Sequence, residues 1–238
     1  VEKQVKTVQP PRLYDLTTLQ RECNRIYGYT AQQTLDYVQS LYEKKLATYP
    51  RTDSQYLTED MQATAASLVL WLREHMPFGK GCTREPDIDR VTDGSKVTDH
   101  HAIIPTVEIA RTDLSELPSG ERDVLTLIAA RLLSATVQAH RFEAVTAVLD
   151  CQGNSFTAKG KTVLQAGWKE VERLYRMGLK ESKPEDDENM DASLPMLQEG
   201  QIFETVSASV REGKTSPPKH YTEDSLLAAM ETAGAGDM

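Results

Sequence analysis

Tyr49-Pro50-Arg51-Thr52-Asp53-Ser54 places a phenol, a rigid imino acid, a guanidinium and three short oxygen-bearing side chains in six consecutive residues. About fifty residues later comes Asp99-His100-His101-Ala102-Ile103-Ile104-Pro105-Thr106. A phenol, an Arg and a His supplied from elsewhere are the groups that an attack on a phosphodiester requires. A free phenol has a pKa of about 10 and is a poor nucleophile at neutral pH. It reacts when it is held in line with phosphorus and the developing charge is stabilised. In an extended segment residues i and i+2 share a side, so Tyr49 and Arg51 could address one phosphate, with the guanidinium fork on its non-bridging oxygens. Thr52, Asp53 and Ser54 add acceptors and hydroxyls. His100 and His101 point different ways, and one of them could donate to a phosphate or a leaving oxygen. On spacing alone a plainer alternative stands beside this one: a half-buried tyrosine, a surface turn and a turn histidine.

Other chemistries lack their residues. The sequence has no Gly-rich phosphate loop and no DxD-type acidic cluster in an alternating strand–helix region that would hold Mg²⁺. No metal site is expected: the two histidines have no ligand-spaced Cys or carboxylate partner. Cys23, Cys82 and Cys151 are odd in number and widely spaced, which suits reduced thiols. His75, His140 and His220 belong to no constellation.

The 238 residues suffice for one or two domains with a real core. No run of 18 apolar residues occurs, so no membrane-spanning helix is expected. The net charge of −9 is unevenly spread: residues 1–180 hold 23 Lys and Arg against 23 Asp and Glu, and residues 181–238 hold 4 against 13. The global charge therefore does not exclude a locally basic groove, nor does any basic patch predict nucleic acid by itself.

The elements that must position the motif read as follows. Residues 1–9 are a weakly alternating strand or connector ending at Pro10-Pro11. Thr17 with Gln20 predicts a capping box for a first helix, with Leu16, Leu19, Cys23, Ile26 and Tyr27 on one face and Gly28 as its stop. Thr30 with Gln33 caps a second helix carrying Leu35, Val38, Leu41 and Tyr42 and ending at Lys44-Lys45. With a short strand over Leu46–Tyr49 this is a helix-turn-helix pattern and the start of a wing. Thr58 opens a third helix (Met61, Ala65, Leu68, Leu72, Met76), closed by Pro77, and residues 78–98 form a long loop. Ser119 caps a fourth helix with Val124, Ile128, Leu132 and Ala135 inward. From Glu143 the period changes to 2, Gln152-Gly153-Asn154 is a turn and Ser155–Ala158 the returning strand. Gly160, Gly167 and Trp168 mark bends, an acidic loop spans 180–192, and Ile202, Glu204, Val206, Ala208 and Val210 alternate as a late strand. Thr222 with Ser225 starts a last helix.

These residues resemble the type IA DNA topoisomerases. Tyr49–Ser54 is similar to the family's active-site tyrosine motif, Leu13–Gln20 and Thr34–Glu43 to its flanking helices, His100–Thr106 to its topoisomerase III branch, and Tyr221–Glu231 to the segment leading back to the DNA-holding domain. The resemblance runs nearly end to end. It implies an α+β fold: a mainly helical, winged-helix-like gate domain bearing the tyrosine (10–118), an incomplete β-rich arch domain (119–214) and a truncated helical stub (215–238), with the two proline-containing connectors as swing points. It implies that Tyr49 attacks single-stranded DNA to form a 5′-phosphotyrosine and release a 3′-hydroxyl, without ATP, with Arg51 as clamp and His100 on the phosphate. Thr52, Asp53, Ser54 and His101 would contact DNA. Mg²⁺ would bind in a Toprim domain outside these residues, with none here, so the chain is expected to be an inactive middle fragment of a monomeric, cytoplasmic, nucleoid-associated enzyme with no membrane partner. The alternative is a non-catalytic winged-helix DNA-binding or interaction module. A tyrosine recombinase needs its Tyr after Arg and His-x-x-Arg, the reverse of the order here.

Overall fold

The computed structural model describes residues 1–82, 84–179, 194, 197–204, 207, 209–210 and 212–233. Among them are six α-helices and one three-stranded sheet, an α+β chain. It divides into two units. The smaller comprises residues 1–8, 141–165 and the described part of 182–220; the larger comprises 9–140, the described part of 166–181, and the described part of 221–238. No helix among the described residues is long and apolar enough to cross a membrane.

The smaller unit is a sheet of order β1-β2-β3, formed by β1 (Glu2–Val8), β2 (His140–Cys151) and β3 (Asn154–Gln165). β2 and β3 pair antiparallel from Arg141↔Gln165 to Cys151↔Asn154. Gln152 and Gly153 both take positive φ, 51° and 84°, as a two-residue hairpin turn of the right twist demands. The returning strand is longer than its sequence suggests: Gly160, expected at a bend, pairs with Val145 inside it. No strand forms among the described residues of the expected late strand. Ile202 and Val210 are 84% and 97% exposed, so the alternation has no core face to bury. Val206, Ala208 and the acidic loop 180–192 lie outside the described residues.

The larger unit is helical. α1 (Leu16–Tyr27) is capped by Asp15 with Thr18 rather than by Thr17 with Gln20, because the Asp15 carboxylate accepts the Thr18 N–H at 2.7 Å. It ends at Gly28 in the left-handed conformation. α2 (Ala31–Glu43) carries the expected Thr30–Gln33 box, and Thr34, Val38 and Leu41 are buried. α3 (Gln62–His75) follows a 3-10 turn over Glu59–Met61 and buries Ala65, Leu68, Val69 and Leu72. In α4 (Ser119–Thr136) Ser119 is the first helical residue and Pro118 occupies the cap position, with no side-chain cap. α4 packs on α2, α3 and α5 and contributes more buried residues than any other described helix. α5 (Trp168–Met177) stands where a bend is expected at Trp168. Its Trp168, Val171, Leu174 and Tyr175 recur at helical spacing, and Val171 and Tyr175 are buried. α5 presses on the turn Pro77–Gly81 so closely that a Cβ at Gly81 would sit 2.7 Å from the Val171 nitrogen.

α6 (Glu223–Thr232) packs on α1. Arg21 on α1 holds both Asp224 (2.9 Å) and Glu231 (2.8 Å), and the Glu223 carboxylate accepts the Ala31 N–H at the start of α2. A second ionic tie is deeper. Arg131 of α4 donates to the Tyr14 hydroxyl at 2.9 Å and to Glu22 of α1. Burial alone would raise the Glu22 pKa, but the Arg131 guanidinium, with Arg25 and Arg176, outweighs it and holds the carboxyl below its ordinary value.

Two outcomes are expected. Gly81→Ala should destabilise by about 1–3 kcal/mol in urea titrations, since the added methyl meets backbone. Glu22, depressed when folded, contributes stability that is complete above its unfolded pKa near 4.5 and is lost as pH falls through the lower folded value. Unfolding free energies measured from pH 6 to pH 3 should therefore fall less steeply for Glu22→Gln than for the parent chain.

Candidate active site

The site is built on a seam between residues 46–52 and 100–106. After α2, Lys45 takes a left-handed φ of 61°, which reverses the chain. Ala47 then lies opposite Pro105 as an antiparallel bridge. The Thr48 N–H donates to the Ile104 carbonyl at 3.0 Å, and the Thr48 hydroxyl donates to the Ala102 carbonyl at 3.1 Å and accepts the Ile104 N–H at 2.9 Å. Further along, the Thr52 hydroxyl donates to the His100 carbonyl at 2.7 Å. Each step along one segment is a step back along the other. The expected strand over Leu46–Tyr49 is only this one bridge, because Pro50 and Pro105 remove the donors a longer ladder would use.

This seam sets Tyr49 against His100. Their ring centroids are 4.3 Å apart at 43°, and the edge of Tyr42, from the last turn of α2, closes on Tyr49 at 5.4 Å and 79°. Pro50, next in the chain, is buried. The Thr52 N–H donates back to the Pro50 carbonyl at 3.0 Å, which makes Arg51 the centre of a three-residue turn rather than a step in an extended strand. Arg51 stands exposed and has no ion pair among the described residues. Tyr49, Arg51 and His100 are thus grouped along the seam.

The other expected site residues divide. Asp53 is exposed and accepts from the Thr98 hydroxyl at 3.2 Å. His101 is half-buried with Nδ1 2.8 Å from the Ala102 carbonyl, to which only a protonated Nδ1 can donate. Thr52 and Ser54 are 8% and 4% exposed, and their hydroxyls are committed to the protein. Thr52 also accepts the Ser54 N–H at 3.1 Å, and the Ser54 hydroxyl donates to the Lys96 carbonyl at 2.9 Å. These two brace the loop and do not present themselves to a ligand, since a buried hydroxyl with partners has no spare donor. Sequence reasoning missed Tyr42 as a neighbour of Tyr49, although it lies one helix end away, and missed Tyr56 and Lys96 beside the loop.

The loop is anchored on its other side too. The Leu16 N–H donates to the Thr52 carbonyl at 3.1 Å, Gln55 donates to Asp15 at 2.8 Å, and the Ile103 N–H donates to the Tyr14 carbonyl at 2.8 Å. Tyr14 is itself held by Arg131, so α1 and α4 both reach the seam. No group of three or more His, Cys, Asp or Glu among the described residues is arranged to hold a metal ion. Thr52→Val should lower the unfolding free energy by about 1–3 kcal/mol, the cost of stranding the His100 carbonyl and the Ser54 N–H, and should shift the His100 ring resonances in NMR spectra. Thr52→Ser should do neither.

Comparison with known proteins places this arrangement. A family model described as DNA topoisomerase matches residues 1–237. DNA topoisomerase 3 of Bacillus subtilis is 38% identical over 242 aligned residues, covering 99% of this chain and 32% of the relative. DNA topoisomerase 3 of Bacillus licheniformis is 37% identical with the same coverage. The chain thus spans about a third of the length of these relatives. Among solved structures, full-length topoisomerase I from Thermotoga maritima shares the fold with a TM-score of 0.64 at 23% identity, over 98% of this chain and 36% of that one. With the family matched from the first residue almost to the last, this chain belongs to the type IA DNA topoisomerases and is topoisomerase III-like.

Proposed function

We propose that these residues supply the nucleophilic half of an enzyme that cleaves and rejoins single-stranded DNA. The observation that carries this reading is the Tyr49 ring tilted at 43° against His100, with centroids 4.3 Å apart, beside an exposed Arg51 that has no ion pair among the described residues. The Tyr49 oxygen attacks a backbone phosphorus, the bond from phosphorus to the 3′ oxygen breaks, and a 5′-phosphotyrosine and a 3′-hydroxyl result. The phenolic proton leaves and one is taken up at the 3′ oxygen, so the step is neutral in protons. Because one ester replaces another, the 3′-hydroxyl can reverse the step without ATP. Arg51 grips the non-bridging oxygens as their charge grows, which its planar fork suits. His100 contacts the phosphate or handles the proton. Asp53 and His101 flank the strand, and Thr52 and Ser54 act on it only through the loop they hold.

The seam supports this reading because in-line attack needs a fixed phenol. A nucleophile on a freely moving loop loses the advantage of pre-set orientation. On the same reading residues 10–118, with the α1–α2 pair, are the winged-helix-like gate, and residues 119–214, with the β2–β3 hairpin, belong to the arch. Mg²⁺ dependence, as the family resemblance implies, belongs to residues other than the described ones, and no step above is routed through the ion. The 238 residues alone are accordingly inactive in relaxation. The reaction takes place in the cytoplasm on nucleoid DNA, with the protein as a monomer.

A chimera tests this: these residues replace the matched third of Bacillus subtilis DNA topoisomerase 3. With Tyr49 it should relax supercoiled plasmid in Mg²⁺ and yield a covalent protein–DNA adduct. Tyr49→Phe should abolish both, while Arg51→Ala should slow relaxation by orders of magnitude with the fold intact. Relaxation that survives Tyr49→Phe would instead indicate a non-catalytic DNA-binding module. Relaxation by the 238-residue chain alone would refute its assignment as half a site.

A further inference from the structure

A cleft of about 220 Å³ opens beside the tyrosine loop, among Gln9, Pro11, Arg12, Gln55, Tyr56 and Arg90. Its composition is unlike that of the chain. The protein carries a net charge of −9, yet this lining contains two guanidiniums and no carboxylate. Arg12 has its Cζ 5.4 Å from the centroid of Tyr56, and Lys96 reaches the same ring at 4.5 Å. The Arg12 guanidinium has no ion pair among the described residues. Arg90 donates to the Gln9 side chain at 3.1 Å, and its carboxylate neighbour Asp87 is 4.0 Å away. Lys96 is the compensated member, held by Asp93 at 2.7 Å. Two guanidiniums lining one cleft without a full counter-charge, one of them over the Tyr56 ring, present an anion site with a stacking platform.

The place of the cleft in the fold says which anion. Its wall at Gln55 and Tyr56 continues the loop that carries Tyr49. The Tyr56 carbonyl accepts the Ala102 N–H at 2.9 Å, two residues from His100 on the opposing segment. The cleft and the tyrosine site are therefore fixed to one another through the same seam. At about 220 Å³ it is smaller than the roughly 300–1,000 Å³ typical of pockets that enclose a free ligand. It suits a piece of a polymer: one phosphate and its sugar, with a base face against Tyr56.

We propose that this cleft is a second phosphate subsite, in which Arg12 and Arg90 grip a backbone phosphate of the same single DNA strand, flanking the bond that Tyr49 attacks. Tyr56 carries the adjoining sugar or base, and Gln9 and Gln55, whose hydrogen bonds to Arg90 and Asp15 use the Gln9 oxygen and the Gln55 nitrogen, offer their other amide ends to polar groups of either. The subsite rests on the proposed function for the identity of the strand. It adds a second grip, which sets where along the strand the scissile phosphate comes to lie.

The test uses the 238-residue chain and a fluorescein-labelled oligothymidylate, with anisotropy read across a salt series. Arg12→Ala and Arg90→Ala should each weaken binding roughly ten-fold at low salt and lower the salt slope by about one. Tyr56→Leu should weaken binding and leave the slope in place. Because Arg12 also lies on Tyr56, the side-chain Nε–H signals of the unaltered protein give an independent readout: those of Arg12 and Arg90 should shift on adding the oligonucleotide. Absence of those shifts, or parent-like binding by both Arg variants while Arg51→Ala is impaired, overturns the subsite and leaves the tyrosine assignment standing. An equal shift from inorganic phosphate or thymidine monophosphate at the same concentration also overturns it, since the cleft would then hold a free anion. An adduct that forms in the chimera without Tyr49 is a different failure, that of the underlying reading.

Discussion

The hydrogen bonds that join Thr48 to Ala102 and Ile104, and Thr52 to His100, are what the placement of the tyrosine depends on. They do for two irregular segments what a ladder does for strands, but with hydroxyls in place of the amides that Pro50 and Pro105 lack. Two threonines four residues apart bracket the Tyr-Pro-Arg turn, and each reaches a carbonyl of the facing segment. The turn can therefore be sharp without being loose. A side chain that reacts must be exposed enough to meet its target, and this arrangement keeps Arg51 in solvent while the residues on either side of it are buried.

Support for the seam spreads outward in layers. Tyr14 pairs with Ile103 through backbone and with Arg131 through its hydroxyl, and Arg131 is neutralised by Glu22. α4 is buried over most of its length, which leaves Arg131 little freedom to move. A buried ion pair of this kind adds little to net stability, since desolvation offsets most of the attraction. Its value here is directional. The guanidinium satisfies a carboxylate and a phenol at once, and so holds Tyr14 against Ile103, in the segment that also carries the histidines.

Much of this was legible in the sequence, and the failures have identifiable causes. The Thr30–Gln33 box, the Gly28 stop and the apolar rows of α2, α3 and α4 rest on local chemistry and helical period, which a single sequence displays directly. The grouping of Tyr49, Arg51 and His100 was legible only as a possibility of residue types, since nothing in the spacing says that position 100 folds back on position 49. The α1 cap went to Asp15 because an aspartate at that position accepts the Thr18 amide, and two overlapping cap patterns cannot be ranked by spacing. The α5 helix was hidden by its neighbours: Gly160 and Gly167 look like a run of bends, whereas one sits in a strand and the other only starts the helix. At the expected late strand the described Ile202 and Val210 lie exposed, so alternation alone did not secure a buried face for them. Thr52 and Ser54 illustrate a further limit, since a hydroxyl that braces a loop and one that meets a ligand look identical in sequence.

The clasp between α6 and the α1–α2 pair ties together groups that lie 192 and 203 residues apart. That separation has a meaning during synthesis. At about 5–20 residues per second, a ribosome needs on the order of ten to forty seconds between delivering α2 and delivering the carboxylates that complete it. For that interval the Ala31 amide and the Arg21 guanidinium have only water as partners, and the first helical pair must stand on its own caps. The strong local signals of that pair, a box at each start and a left-handed glycine between them, are what a segment needs if it is to wait for a partner made so much later.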